Sequence, residues 1–134
     1  MPHSGGCFCG AVRFEVEGDP IHTSLCHCSD CRRSAGAPVV AWVAFRDDQL
    51  QVSQGEAKTI NSSGNSFRSF CPDCGSGLFF RNTEFLPGIV DIQIVAMDEP
   101  DAFPPQVQIQ TAERIGWFEQ AHTLPAFERF PPAG

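Results

Sequence analysis

Seven cysteines in three tight groups carry the chemistry of this chain: Cys7-Phe8-Cys9, Cys26-His27-Cys28-Ser29-Asp30-Cys31 and Cys71-Pro72-Asp73-Cys74. Cysteines one or two residues apart can set both sulfurs on one ion while the backbone turns between them. A structural Zn²⁺ takes four such ligands in a tetrahedron, whereas a catalytic one keeps three from the protein and leaves a position open. Seven divides into four and three, the ligand count of one closed and one open site. The outer pairs, Cys7/Cys9 and Cys71/Cys74, are expected to make the closed site. Each is followed by glycine, Gly10 and Gly75. A zinc knuckle needs a residue free to take positive φ there, so that amide N–H groups can point at sulfur. Metal affinity at such a site adds directly to folding stability.

Cys26, Cys28 and Cys31 are the expected ligands of the open site. They sit at the start of a short helix expected over residues 29–36, capped by Ser29 and stopped by Gly36. The positive end of that helix favours thiolates. A fourth position beside three thiolates suits another thiolate, so a small thiol is the expected ligand. Zinc there would lower the pKa of the thiol, align it and polarise a neighbouring carbonyl. The spacing equally allows a second structural zinc closed by a distant ligand, with His22, His27, His122 or an aspartate as candidates. His27, flanked by two ligands, is expected to point away from the shared metal or into solvent. Arg32 and Arg33 could fork onto a substrate carboxylate, although a solvated helix face is the commoner role for such a pair. Trp42, Phe79 and Phe80 are either core or the wall of a pocket beside the metal.

Other uses of the cysteines fit less well. Seven is odd, so a disulfide framework leaves one thiol over, and C-x-C is poor geometry for a bridge. Met1-Pro2-His3-Ser4-Gly5-Gly6 lacks the charged start and apolar run of a secretory signal. The chain is therefore expected to work in the cytoplasm, where clustered cysteines bind metal or do redox chemistry. A thioredoxin-like Cys71-Pro72-Asp73-Cys74 would open a helix, but Gly75-Ser76-Gly77 follows. The formal charge is −7, and thiolate-bound zinc takes it to about −10. Apart from Arg32-Arg33 there is no basic stripe, which argues against nucleic acid as a partner. No apolar stretch is long enough to span a membrane.

The elements that must hold these groups are short strands. Residues 11–17 alternate Val12, Phe14 and Val16 against Arg13, Glu15 and Glu17. Residues 39–45 form a continuous apolar run suited to a buried strand. Further strands are expected over 50–53, 58–61, 67–70, 78–81 and 89–97, separated by polar turns. With 134 residues the simplest organisation is a single domain over 1–134. The expected fold is mainly β: a sandwich or partly open barrel of short antiparallel strands with one short helix.

With these motifs in view, the chain resembles the glutathione-dependent formaldehyde-activating enzymes, which share their domain with centromere protein V. The resemblance is carried by Gly6-Cys7-Phe8-Cys9-Gly10-Ala11-Val12, by Cys26 through Arg33, by Gly36-Ala37-Pro38 leading to Ala41-Trp42, and by Phe70-Cys71-Pro72-Asp73-Cys74-Gly75. Trp117 and Leu124-Pro125 add weaker support. It implies an Mss4-like fold with two zincs. Cys7, Cys9, Cys71 and Cys74 would hold a structural zinc, and Cys26, Cys28 and Cys31 a more labile one at the active site. The implied activity is condensation of glutathione with formaldehyde to S-hydroxymethylglutathione, classed as a carbon–sulfur lyase. One stretch departs: the family often has a His within an H-I-W-like run, and here it reads Gln108-Ile109-Gln110. The centromere relative leaves a second reading open, a non-catalytic zinc domain that binds a partner or a thiol. The true thiol and aldehyde are not fixed by sequence, and neither is the oligomeric state, a homodimer being one option.

Overall fold

The computed structural model describes residues 2–132. In chain order the elements are β1 (His3–Gly6), β2 (Arg13–Val16), β3 (His22–Cys26), α1 (Ser29–Ala35), β4 (Val40–Arg46), β5 (Leu50–Gln54), β6 (Lys58–Ser63), β7 (Ser66–Phe70), β8 (Gly77–Asn82), β9 (Ile89–Gln93) and β10 (Val107–Ile109). Short 3₁₀ turns fill the gaps, the longest over Gly116–Thr123. The strands form two open sheets, one ordered β1-β2-β5 and the other β10-β3-β4-β9-β8-β7-β6. This is the mainly β architecture expected, without barrel closure. One pairing departs from the antiparallel expectation: β10 runs parallel to β3. A long connection rather than a hairpin brings the chain from β9 to β10, so nothing forces reversal.

Strand alternation explains the layering. In β4, Val43 and Phe45 face one way and Trp42 the other; in β9, Val90 and Ile92 oppose Asp91 and Gln93; in β8, Phe79 opposes Phe80. The first set packs with Val12, Phe14 and Val16 of β2, and with Leu78, Met97 and Phe103, as the main core between the sheets. Phe14 is fully buried and sets its ring edge-on to Phe79 at 5.2 Å. Burial of a side chain of that size stabilises the fold by roughly 3 kcal/mol. On the opposite face, Cys26, Val40, Trp42 and Phe80 gather with Cys31 and Ala35 of α1 into a second, smaller cluster. Because β4 is covered on both faces, its sequence reads as an unbroken apolar run rather than an alternation.

Two expectations about local structure need correction. The strand expected over 89–97 stops at Gln93 and turns through 3₁₀ geometry at Ile94–Ala96. The turn lets the chain leave the larger sheet, so that Met97 bridges to Gly5 at the edge of the smaller one. The cap of α1 is Cys28, not Ser29: the Cys31 amide donates to Cys28 Sγ at 3.3 Å. The Ser29 amide donates instead to Glu113 Oε1 at 3.0 Å. Gly36 ends the helix in the left-handed region at φ 68°, as expected. No helix of the described residues is long and apolar enough to cross a membrane.

Candidate metal centres and the cavity beside one of them

The turn between β1 and β2 meets the turn between β7 and β8, and their four cysteines converge. The Sγ atoms of Cys7, Cys9, Cys71 and Cys74 all lie within 4.8 Å of one another, with Cys7 to Cys9 at 3.6 Å and Cys9 to Cys71 at 3.8 Å. The Val12 amide donates to Cys7 Sγ at 3.2 Å. Gly10 and Gly75 take φ of 83° and 82°, with open space where a Cβ would stand, so conformation and not crowding requires glycine there. Ser76 joins the two turns: its Oγ accepts from the Phe8 amide at 2.9 Å and meets Cys74 Sγ at 3.2 Å. Hydrogen bonds from the Ser76 hydroxyl and amide bring the Cys74 thiol down to about 5. Cys7 and Cys71 are buried in the main core, so the cluster ties one sheet to the other.

The second cluster lies on the opposite face of the larger sheet. Cys26 ends β3, Cys28 caps α1 and Cys31 lies in its first turn, with the three Sγ atoms again within 4.8 Å of one another. A hydrogen bond from Cys26 brings the Cys31 thiol down to about 5; burial opposes this, and Cys28 and the Arg68 guanidinium assist. Cys26 moves the other way, pushed up by Cys31 and by burial. Without a cation, then, the cluster favours one thiolate shared among three sulfurs. Ionising all three needs a positive charge at their centre. A soft all-sulfur donor set fits zinc at both clusters. Among the described residues no fourth His, Cys, Asp or Glu joins the second group.

A cavity of about 440 Å³ opens on these three sulfurs. Trp42 and Phe80 line it, their ring centroids 5.9 Å apart, while Phe79 belongs to the core; alternation along β8 separates the two phenylalanines. His22, Ala44, Asp91, Phe80 and Arg68 lie in direct register across β3, β4, β9, β8 and β7. Arg68 is buried, its Nη2 donates to Cys31 Sγ at 3.6 Å, and its guanidinium lies 4.7 Å over the Phe80 ring. Asp91 is buried too, and burial pushes its carboxyl up to about 6, with His22 opposing and Cys31 adding to the shift. Sequence reasoning missed both charged residues. In strands that alternate, a charge reads as the solvent face, but here α1 covers Trp42 and Phe80 on that face and the rest of it lines the cavity.

The remaining candidates lie outside the lining of this cavity. His27 turns away from the sulfurs as expected but is fully buried, not exposed. Its Nε2 lies 2.8 Å from Gln108 Oε1 and its ring stands edge-on to Phe118 at 5.6 Å. Gln108 thus anchors β10 to the cysteine loop, with the His27 amide donating to Ile109 O at 3.1 Å. Arg32 is a splint: Nε donates to His27 O at 3.1 Å and Nη2 to Glu113 O at 3.2 Å. Arg33 is exposed on the helix. His122 lines a separate surface groove with Phe118 and Arg114.

Against known proteins, the model of the glutathione-dependent formaldehyde-activating enzyme family matches residues 2–113. The chain belongs to this family. The match takes in all seven cysteines and ends before the Gly116–Thr123 turn. A Halomonas elongata protein, provisionally named a glutathione-dependent formaldehyde-activating enzyme, is 30% identical over 126 residues, covering 86% of this chain and 78% of the relative. An uncharacterized lyase of Schizosaccharomyces pombe is 28% identical over 118 residues, covering 77% of this chain and 85% of the relative. A solved structure of a Rhodobacter sphaeroides protein superposes with a TM-score of 0.63 over 78% of this chain and 98% of that one. At 23% identity that likeness shows the fold.

Proposed function

We propose that this family member adds a small thiol, glutathione, to formaldehyde beside Cys26, Cys28 and Cys31, and that Cys7, Cys9, Cys71 and Cys74 hold a second, structural zinc. The observation that carries the reading is the three-sulfur cluster, without a fourth protein ligand among the described residues, at the floor of a cavity of about 440 Å³. Zinc held by Cys26, Cys28 and Cys31 would supply Lewis acidity that lowers the pKa of a thiol and polarises a carbonyl. The chain's own residues do the rest. Arg68 stabilises the Cys31 thiolate, and Trp42 and Phe80 form an apolar wall that keeps water off a small carbonyl. The net change is one new C–S bond and a proton moved from sulfur to oxygen. No electrons are transferred, so no redox cofactor is required. The reverse reaction cleaves that bond, which makes the activity a carbon–sulfur lyase. Cysteines that must stay reduced to hold zinc suit a reducing compartment such as the cytoplasm.

The test is exchange NMR with ¹³C-formaldehyde and glutathione, since the uncatalysed addition is itself reversible. Exchange between free formaldehyde and the hydroxymethyl thioether is expected to speed up in proportion to the zinc-loaded protein. No acceleration with glutathione or with other small thiols would overturn the enzyme reading and leave a zinc domain that binds a partner.

A further inference from the structure

Asp91 sits in the middle of a sheet, between Val90 and Ile92 of the main core, yet it faces the cavity and not solvent. A buried carboxylate is normally held by an ion pair or by hydrogen bonds. Among the described residues Asp91 has neither. Arg68 and His22 share its row, but each is two strands away, about 10 Å at the usual strand spacing. Arg68 is already engaged by Cys31 Sγ and the Phe80 ring. Nothing in the packing accounts for a charge at this position. The space above it, shared with the three sulfurs, does.

We propose that Asp91 carries the proton of the addition, an inference that rests on the thiol-addition reading. Its carboxylate takes the proton from the incoming S–H. The sulfur lone pair forms the C–S bond, and the carbonyl π pair moves onto oxygen. The Asp91 carboxylic acid then returns the proton to that oxygen and is ionised again, so atoms and charge balance. A carboxyl brought up to about 6 by burial is ionised at neutral pH yet a far better proton acceptor than an exposed one, which is the poise general acid–base work needs.

The pH dependence follows. Below its pKa Asp91 is already protonated and cannot accept, so kcat/KM falls toward acid through a limb near 6. The other ionisable groups around the cavity are His22 of β3, Arg68 of β7, the thiols of Cys26, Cys28 and Cys31, and Asp30 and Glu113. His22 faces Asp91 along the same row from β3, so a His22→Gln variant assigns the limb to one of the two.

The experiment uses zinc-loaded wild type, Asp91→Asn, Asp91→Glu and His22→Gln, with glutathione and formaldehyde. Asp91→Asn is expected to lower kcat about 100-fold, to erase the acid limb, and to melt no lower than wild type. Asp91→Glu recovers much of the rate, and His22→Gln keeps the limb. If wild type turns over while Asp91→Asn keeps its kcat and its acid limb, the role of Asp91 is overturned alone. If wild type neither binds glutathione nor turns over, the thiol-addition reading falls first and this assignment with it.

Discussion

Cys28→Ser abolishes turnover and leaves a folded protein with one metal ion in place of two. The helix survives because serine is itself a preferred N-cap: its Oγ can take over from Cys28 Sγ as acceptor of the Cys31 amide. The main core is untouched, since Cys28 packs only against the smaller cluster. What is lost is one of three thiolates. Removing a group that merely supports a ligand costs 10- to 100-fold, so losing the ligand lowers kcat/KM by more than about 100-fold. Kinetics, metal content by mass spectrometry and thermal melting of the same sample check the three parts. Wild-type activity in Cys28→Ser would remove the three-cysteine centre from the mechanism.

Cys71→Ser fails differently: it loses the fold. Cys71 is completely buried in the main core and sits in the turn that meets the Cys7/Cys9 turn, where the two sheets are tied together. Structural zinc contributes about 10–16 kcal/mol of apparent binding free energy in small zinc domains, while whole domains are stable by only about 5–15 kcal/mol. Loss of the zinc is therefore of the same order as the total stability, and removing one of its four ligands forfeits a large share of it. The variant is expected to unfold without a cooperative transition, and a chelator strong enough to strip this centre does the same to wild type. Urea unfolding followed by near-ultraviolet circular dichroism reads both. A Cys71→Ser protein that unfolds at the wild-type midpoint would show that the four-cysteine cluster does not hold the sheets together.

Much of this was legible in the residues because each signal was local. Cysteine spacing, with Gly10 and Gly75 behind the pairs, marked two clusters, and the structure brings together the same four and three sulfurs. The alternation of Val12, Phe14 and Val16 marked the face of β2 that meets the larger sheet. The signals that failed were those set by distant partners. His3–Gly6 reads His-Ser-Gly-Gly, with no strand preference of its own, and becomes a strand only by pairing with Arg13–Val16. The parallel pairing of β10 depends on Gln108 reaching His27 from far along the chain. Asp91 and Arg68 went unmarked, because no local pattern announces that the strand face they share is closed off from solvent.

The most direct test of the open centre is to replace zinc with cobalt and titrate the protein with glutathione while recording the visible spectrum. Two cobalt ions per chain are expected: the d–d and thiolate charge-transfer bands of one change as a fourth thiolate enters, while those of the other stay fixed. In Cys28→Ser the responsive ion is absent. Two cobalt spectra indifferent to glutathione would mean that both centres are closed, and the thiol-addition function would have to be given up.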